Sequence, residues 1–170
     1  MAAPKSKSDL PDNAAKGKRF GIVVSRYHEE LTSKLLDGAV SALTGLGASK
    51  SDITTVWVPG SFEIPLAARA LANQSSDAVI CLGVIIKGET SHDQFIAREV
   101  ARGISQLALT TGIPVSFGVL TTQSIEQAEA RCGGAKGHKG VEAAQSAVTM
   151  IRVIEDLQSM PTKKNINVGF

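Results

Sequence analysis

Ala78-Val-Ile-Cys-Leu-Gly-Val-Ile-Ile86 is the longest uninterrupted apolar run in the chain. Its nine residues are too few to cross a bilayer, which takes about 20 apolar residues in a helix. A run that is apolar at every position is typical of a strand buried on both faces, as the inner strands of parallel sheets are. This segment therefore predicts a central strand of a parallel β-sheet.

Three further β-branched or apolar runs, at residues 20–25, 53–58 and 113–120, predict the other strands. The segments between the runs carry apolar residues three or four positions apart, the spacing of helices packed on one face. Helices are expected at residues 31–46, 62–73 and 90–111, in a short stretch after Ser124, and around residues 144–154. Strands that alternate with helices over short links predict an α/β fold, with a four-stranded parallel sheet flanked by helices on both faces.

Two helix starts are marked by the local sequence. Thr90-Ser-His-Asp93 has the form of a capping box, in which an N-cap hydroxyl and the acid three residues later each bond to a backbone donor. Ser124-Ile-Glu-Gln127 has the same form. We therefore expect Thr90 and Ser124 to be the N-caps of their helices.

The length and composition predict one domain and an oligomer. A chain of 170 residues buries enough surface to fold without disulfides. With 43% hydrophobic residues and a mean hydropathy of +0.07, apolar surface left over from one small core is expected to lie in subunit contacts. The expected boundaries are a flexible basic N-terminal tail at 1–19, a single domain at 20–159 and a C-terminal tail at 160–170.

The charges exclude a nucleic-acid-binding domain. The net charge is +2, and residues 1–19 carry five basic and two acidic side chains, which leaves −1 for the rest. A basic stripe of the kind that binds phosphate backbones is absent from the sequence after residue 19. Residues 1–19 also lack the apolar run of a secretory signal. We expect a cytoplasmic protein with no nucleic-acid partner and no membrane association.

Several familiar motifs of cofactor and metal sites do not match. No glycine follows the first strand, so the dinucleotide-binding loop is missing, and the glycines between 133 and 140 follow a helix and lack the P-loop ending. His28-Glu-Glu-Leu-Thr32 has Thr where a zinc-binding helix has its second His. Cys81 and Cys132 have no metal-ligand spacing, and Cys81 is expected to be a small buried hydrophobe.

Ligands of open parallel sheets bind beyond the carboxyl ends of the strands, where the strand order reverses. His92 follows such an end, in the first turn of the predicted third helix. The helix dipole disfavours imidazolium there, while Glu89 and Asp93 favour it, so the sequence predicts an imidazole that exchanges protons near neutral pH. An ordinary exposed histidine is the alternative.

Two other groups near strand ends have a structural and a functional interpretation. Arg131, with Lys136 and Lys139 behind it, either complements a helix terminus or binds a phosphate through its guanidinium. Phe62 and Glu63 either begin a helix or contact a ligand. The residues alone leave both alternatives open.

Four longer motifs carry a family resemblance. They are Val58-Pro-Gly-Ser-Phe-Glu-Ile-Pro65, Gly83-Val-Ile-Ile-Lys-Gly-Glu-Thr-Ser-His92, Pro114-Val-Ser-Phe-Gly-Val-Leu-Thr-Thr122 and Gln127-Ala-Glu-Ala-Arg-Cys-Gly-Gly-Ala-Lys-Gly-His-Lys-Gly-Val-Glu-Ala-Ala144. In this order and spacing they resemble the 6,7-dimethyl-8-ribityllumazine synthases. The resemblance runs from about Phe20 to Asp156 and implies a flavodoxin-like fold.

The resemblance implies an enzyme of riboflavin synthesis. It would condense 5-amino-6-ribitylamino-2,4-pyrimidinedione with 3,4-dihydroxy-2-butanone 4-phosphate, releasing phosphate and water, without a cofactor or a metal. The alternative is a non-catalytic protein on the same fold, one that binds flavin or stores cargo in a shell. The residues that would bind the substrates are Tyr27, Ser61, Phe62, Glu63, Val84, Ile85, Ile86, Gly88, Glu89, Thr90, Phe117, Arg131, Lys139 and Glu142.

The resemblance also implies a role for each of these residues. Tyr27 would stack on the pyrimidine, and the backbone of residues 84–86 would hold its polar edge. Residues 88–90 and Arg131 would receive the phosphate, with Glu142 orienting Arg131. His92 and Arg131 would be the catalytic centre, with His92 shuttling protons. Phe117 and Lys139 would come from the neighbouring subunit.

The assembly implied by the resemblance is a homopentamer, with riboflavin synthase as a candidate partner. The link from Gly133 to Gly140 has no insertion, as in relatives whose pentamers close into an icosahedral shell. Two positions depart from the usual pattern: Tyr27-His28 replaces Phe or Trp followed by Asn, and His138 replaces Asn. Tyr27 keeps an aromatic face for stacking.

Overall fold

A computed structural model describes residues 10–160 of the chain. The strands are β1 (Phe20–Ser25), β2 (Ile53–Val58), β3 (Ala78–Ile86), β4 (Val115–Thr122), β5 (Cys132–Gly134) and β6 (Gly137–His138). The helices are α1 (Glu29–Gly45), α2 (Ile64–Ala72), α3 (His92–Thr111), α4 (Ile125–Glu129) and α5 (Lys139–Ser159). Short 3-10 helices lie at Lys50–Asp52 and Ser61–Glu63.

The main sheet has four parallel strands in the order β2-β1-β3-β4. Val23 of β1 pairs with Val56 on one side and with Cys81 of β3 on the other, and Cys81 pairs with Phe117 of β4. The strand order reverses between β1 and β3, so the crevice expected for a ligand lies there. The predicted three-layer α/β/α, flavodoxin-like fold is confirmed.

Two apolar clusters fill the layers because successive side chains of a strand point to opposite faces. Ile22, Val24 and Ile80 pack with α1 and α5 on one face. Val23 and Cys81 pack with α2 and α3 on the other. β3 is buried from Ala78 to Ile85, as its continuous apolar sequence predicted.

α1 and α5 cross closely because glycines face each other's helix. A β-carbon on Gly140 would collide with the carbonyl of Leu35, and one on Gly38 would collide with the imidazole of His138. Gly38 and Gly140 are both buried. The two helix backbones therefore touch near the start of α5, where any larger residue would separate them.

Residues 10–19 differ from the solvated arm expected over 1–19. Ala14 and Ala15 are buried against the core, and the Ala15 amide donates to the carbonyl of Leu46 at 2.9 Å. Lys18 forms an ion pair with Glu155 of α5. The packed part of the chain thus begins at about residue 10, because small alanines fit against the end of α1. Residues 1–9 and 161–170, expected to belong to the two tails, lie outside the described residues.

Capping at the two predicted helix starts has different outcomes. Ser124 is the N-cap of α4, and its hydroxyl accepts from the Gln127 amide at 3.4 Å, as predicted. The N-cap of α3 is Ser91 rather than Thr90, and it makes no side-chain cap hydrogen bond. The capping box expected at Thr90 is therefore wrong, and the Thr90 hydroxyl instead accepts from the His92 amide at 3.4 Å.

A small antiparallel hairpin, β5–β6, replaces the simple helix-to-helix link expected around Gly133. Gly133 and Gly137 both have positive φ, 103° and 88°. Glycine takes such conformations without a steric penalty. The hairpin brings Arg131 close to Lys139, whose amide donates to the Arg131 carbonyl at 2.8 Å.

Candidate active site

A cleft of about 700 Å³ opens at the carboxyl end of β1 and β3, where the strand order reverses. The sequence-predicted residues on its wall are Tyr27, Ser61, Phe62, Glu63, Val84, Ile85, Ile86, Gly88, Thr90 and His92. They come from the ends of three different elements and from the turn before α2. The structure therefore brings most of the predicted site together within one chain.

Tyr27 and His28 form one wall of the cleft. Their ring centroids are 4.9 Å apart and their planes lie at 85°, an edge-to-face arrangement. Tyr27 is 69% exposed, whereas His28 is half-buried. Burial lowers the pKa of His28, so the neutral imidazole is favoured there.

The floor of the cleft depends on a glycine in β3. A β-carbon on Gly83 would lie 2.7 Å from Ser61 Oγ and 3.3 Å from Ser25 Oγ. The missing side chain lets the Ser61–Glu63 turn lie directly on the sheet. Both hydroxyl oxygens are buried and have no hydrogen-bond partner within residues 10–160. Two unpaired polar groups therefore lie beneath the cleft.

The turn before α2 presents an apolar ring and an acid. Glu63 Oε2 accepts from the Gly60 amide at 2.9 Å, which holds the turn. Phe62 is 60% exposed on the cleft wall. An exposed ring beside a partly free carboxylate is suited to contact a flat polar heterocycle.

The start of α3 supplies His92 and Asp93 to the cleft wall. His92 is exposed and is the first residue of the helix. The positive end of the helix dipole favours an anion beside this first turn. Glu89 lies in the exposed loop before α3 but not on the cleft wall.

Arg131, Lys139 and Glu142 do not line the cleft of their own chain. The Arg131 guanidinium donates to the Gln127 carbonyl at 2.8 Å, while the Glu142 carboxylate pairs with Lys139. Within the described residues the Glu142 carboxylate therefore pairs with Lys139, three residues away on α5, and the orientation of Arg131 by Glu142 stays a prediction. All three side chains lie at one end of the β5–β6 hairpin.

Phe117 lies in a second, apolar groove between α3 and β4. The groove measures about 330 Å³, and Ile104, Ala108, Leu109 and Val115 contribute to it. Leu109 is 83% exposed and Phe117 is 43% exposed. β4 is an edge strand of the sheet. The apolar groove beside it is therefore not covered by another element within residues 10–160.

Six residues of the cleft wall were not predicted from the sequence. The additional lining residues are His28, Gly60, Asp93, Phe95, Ile96 and Glu99. Residues 92, 95, 96 and 99 share one helical face, because positions three and four apart are neighbours on a helix. Extending the helical spacing from His92 would have found the three that follow Asp93.

Within residues 10–160, no group of three or more His, Cys, Asp or Glu side chains is placed to hold a metal ion. No helix in the same range is both long and apolar enough to cross a membrane.

A family model matches most of the chain. Residues 17–155 match the model described as 6,7-dimethyl-8-ribityllumazine synthase. The match covers the four-stranded sheet, the cleft and the hairpin that carries Arg131. The chain therefore belongs to the 6,7-dimethyl-8-ribityllumazine synthase family, transferases of riboflavin biosynthesis.

Proposed function

We propose that this chain condenses 5-amino-6-ribitylamino-2,4-pyrimidinedione with 3,4-dihydroxy-2-butanone 4-phosphate to form 6,7-dimethyl-8-ribityllumazine, phosphate and water. The observation that carries the proposal is the cleft at the β1–β3 reversal, which joins an aromatic wall, a strand-end backbone and a helix start bearing a histidine. The family match supports the same reaction.

The pyrimidine binds against the Tyr27 wall. Its ring stacks on Tyr27, and the backbone groups of residues 84–86 at the end of β3 contact its polar edge. Ser61, Phe62 and Glu63 contact the ring and the ribityl chain. The exposure of Tyr27 and Phe62 in the cleft supports this assignment, because flat rings need open aromatic faces.

His92 transfers protons, and residues 88–90 hold the phosphate. The amine of the pyrimidine attacks the ketone, and loss of water gives an imine between the two substrates. Phosphate then leaves from the butanone carbon, and the resulting enol becomes a second carbonyl. The ribitylamino nitrogen attacks this carbonyl, and loss of a second water closes the lumazine ring. These steps need positioned substrates and proton transfer near neutral pH but no protein nucleophile.

Arg131, Lys139 and Glu142 act on the cleft of a neighbouring copy, together with Phe117. The backbone hydrogen bond from the Lys139 amide to the Arg131 carbonyl joins the two residues at the base of one hairpin. If Lys139 reaches a neighbouring cleft, Arg131 therefore lies beside that cleft too. Neither side chain lines its own chain's cleft. The uncovered apolar groove at Phe117 supports a subunit contact on that side.

The assembly is a homopentamer, and residues 20–159 form its repeating domain, with residues 10–19 packed onto it. Sedimentation velocity separates a monomer, a pentamer and a shell of pentamers by their sedimentation coefficients. A pentamer, or a shell of pentamers, fits the shared site, whereas a monomer contradicts it.

The test of the reaction is to mix the purified protein with both substrates and record the fluorescence of the lumazine product. We expect formation well above the uncatalysed background. A preparation that binds flavin but does not accelerate product formation contradicts the catalytic proposal.

A further inference from the structure

The backbone of the loop after β1 is held firmly, while the Tyr27 ring projects into the cleft. The Arg26 amide donates to the Val58 carbonyl at 2.8 Å, and the Tyr27 amide donates to the Pro59 carbonyl at 3.2 Å. These bonds fix the Tyr27 Cα beside the end of β2 but leave the side chain free to rotate. Its ring is 69% exposed, so few neighbours restrict it.

His28 provides the contact that restricts the Tyr27 ring. The two rings meet edge to face at 4.9 Å, the arrangement that aromatic quadrupoles favour. His28 itself lines the cleft and is half-buried. Its imidazole is therefore a partly buried neighbour of the exposed Tyr27 ring.

His28 is anchored more rigidly than an ordinary loop residue. It has a left-handed backbone, with φ 60° and ψ 48°, and its carbonyl accepts from the amides of Leu31 and Thr32 at 2.9 and 3.0 Å. The Thr32 hydroxyl in turn donates to the Ser25 carbonyl at 2.7 Å. The imidazole thus projects from a backbone that is tied both to α1 and to the end of β1.

We propose that His28 is a positioning residue of the cleft, which holds the Tyr27 ring in the orientation that stacks on the heterocycle. The inference rests on the proposed function, since it takes Tyr27 as the stacking residue. His28 acts through Tyr27 and makes no essential contact with the substrate. An unrestrained Tyr27 would lose rotamer freedom on binding, whereas the ring held by His28 has already lost it.

A double-mutant cycle tests the proposal with the product, 6,7-dimethyl-8-ribityllumazine, as a fluorescent probe. The variants are His28→Asn, His28→Phe, Tyr27→Ala and the combination Tyr27→Ala with His28→Asn. Asparagine tolerates the left-handed backbone but removes the ring, and phenylalanine keeps the ring but removes both nitrogens. Thermal unfolding of each variant controls for a loss of fold.

We expect His28→Asn to weaken probe binding about 2- to 10-fold, the worth of one edge-to-face aromatic pair. The KM for the pyrimidine should rise with it, while the KM for the butanone phosphate stays unchanged. In the Tyr27→Ala background the same change should have no effect, because the ring that His28 holds is gone. His28→Phe should restore most of the binding.

Three results would overturn the proposal. An equal loss in the Tyr27→Ala background would show that His28 contacts the ligand directly. Wild-type binding by His28→Asn would show that the ring needs no support. A rise in both KM values, with a lower unfolding temperature, would show a general effect on α1. Absence of synthase activity in the wild type would contradict the proposed function alone, because the double-mutant cycle is measured by binding of the fluorescent probe and does not depend on catalysis.

Discussion

The imidazole of His138 occupies the space in which a β-carbon of Gly38 would lie. Gly38 is buried in α1, and His138 is the residue that precedes α5. His138 Nδ1 is buried and has no hydrogen-bond partner in the described structure. The ring therefore acts as a spacer that fills the volume between the hairpin and α1, and its Nδ1 contributes no hydrogen bond.

This contact predicts that Gly38→Ala destabilises the protein. Alanine favours a helix over glycine, but the new methyl group collides with the ring, and overpacking costs about 1–3 kcal/mol. Urea unfolding measures the difference. Gly45→Ala is the matched control, since nothing lies within 4 Å of its β-carbon position at the end of the same helix. In a His138→Ala background Gly38→Ala should be neutral or stabilising, and an unchanged penalty there would contradict the steric explanation.

Arg131→Ala should raise the KM for the butanone phosphate about 10- to 100-fold, since hydrogen bonds to a charged group are worth about 1.5–3 kcal/mol. The KM for the pyrimidine should change little. Steady-state kinetics with each substrate varied in turn separate the two. Arg152→Ala, on the exposed side of α5, is the control, and equal losses for both substrates would place the phosphate elsewhere.

His92→Gln should lower kcat at least about 100-fold, because a positioned general acid or base contributes about 10²–10⁴. Glutamine keeps a polar side chain at the start of α3 but does not exchange protons near neutral pH. Gln94→Ala is the control, because Gln94 is exposed two residues further on and does not line the cleft. If His92→Gln changed KM and left kcat intact, His92 would be a binding residue instead.

Burial of His28 makes stability depend on pH in a defined direction. Its pKa is lower in the folded protein than in the unfolded chain, so the unfolded state binds more protons as the pH falls below about 6.5. The stabilisation that comes from keeping the imidazole neutral is therefore fully present above that pH. It decreases as the pH falls from there towards the pKa of His28 in the folded protein. Unfolding temperatures between pH 7.5 and 5 should fall less steeply in His28→Asn than in the wild type. Parallel curves would contradict this assignment.

The cysteines should be unreactive in the folded protein. Burial raises the pKa of both Cys81 and Cys132, and the thiolate is the form that attacks reagents. A disulfide reagent should modify both thiols rapidly in guanidinium and only slowly in native buffer. The variant Cys132→Ser isolates Cys81, which is fully enclosed in the sheet and should react no faster than global unfolding. A fast reaction of native Cys132→Ser would contradict the burial of β3.

The sequence predicted the sheet well because its strands are read from continuous apolar runs. β3 is apolar at every position and buried as predicted from Ala78 to Ile85. The neighbouring strands could also be predicted, each from its own local sequence. The β5–β6 hairpin was missed because its strands have only two or three residues and its glycines give no periodic signal. The packing of Ala14 and Ala15 was missed because two alanines among charges give no apolar pattern.

The candidate site was predictable where a motif lies on one strand end and its link. Residues 61–63 and 84–86, together with residues 88, 90 and 92, behave in this way, because parallel strands bring their carboxyl ends to one edge. The partner of Glu142 was not predictable, since the choice between Arg131 and Lys139 depends on side-chain directions at the start of α5. The contribution of Phe95, Ile96 and Glu99 followed from helical geometry rather than from any motif.

The pairing of α1 with α5 has a consequence for synthesis of the chain. The apolar face of α1 packs against the last helix, which is made roughly a hundred residues later, and contacts so distant in sequence form slowly. A growing chain therefore lacks the part of the cover over α1 that α5 supplies, and has only the contacts with β1 and β3, until α5 has left the ribosome. During that interval the nascent protein exposes surface that chaperones bind and that promotes aggregation, and a message truncated before α5 would leave it exposed permanently.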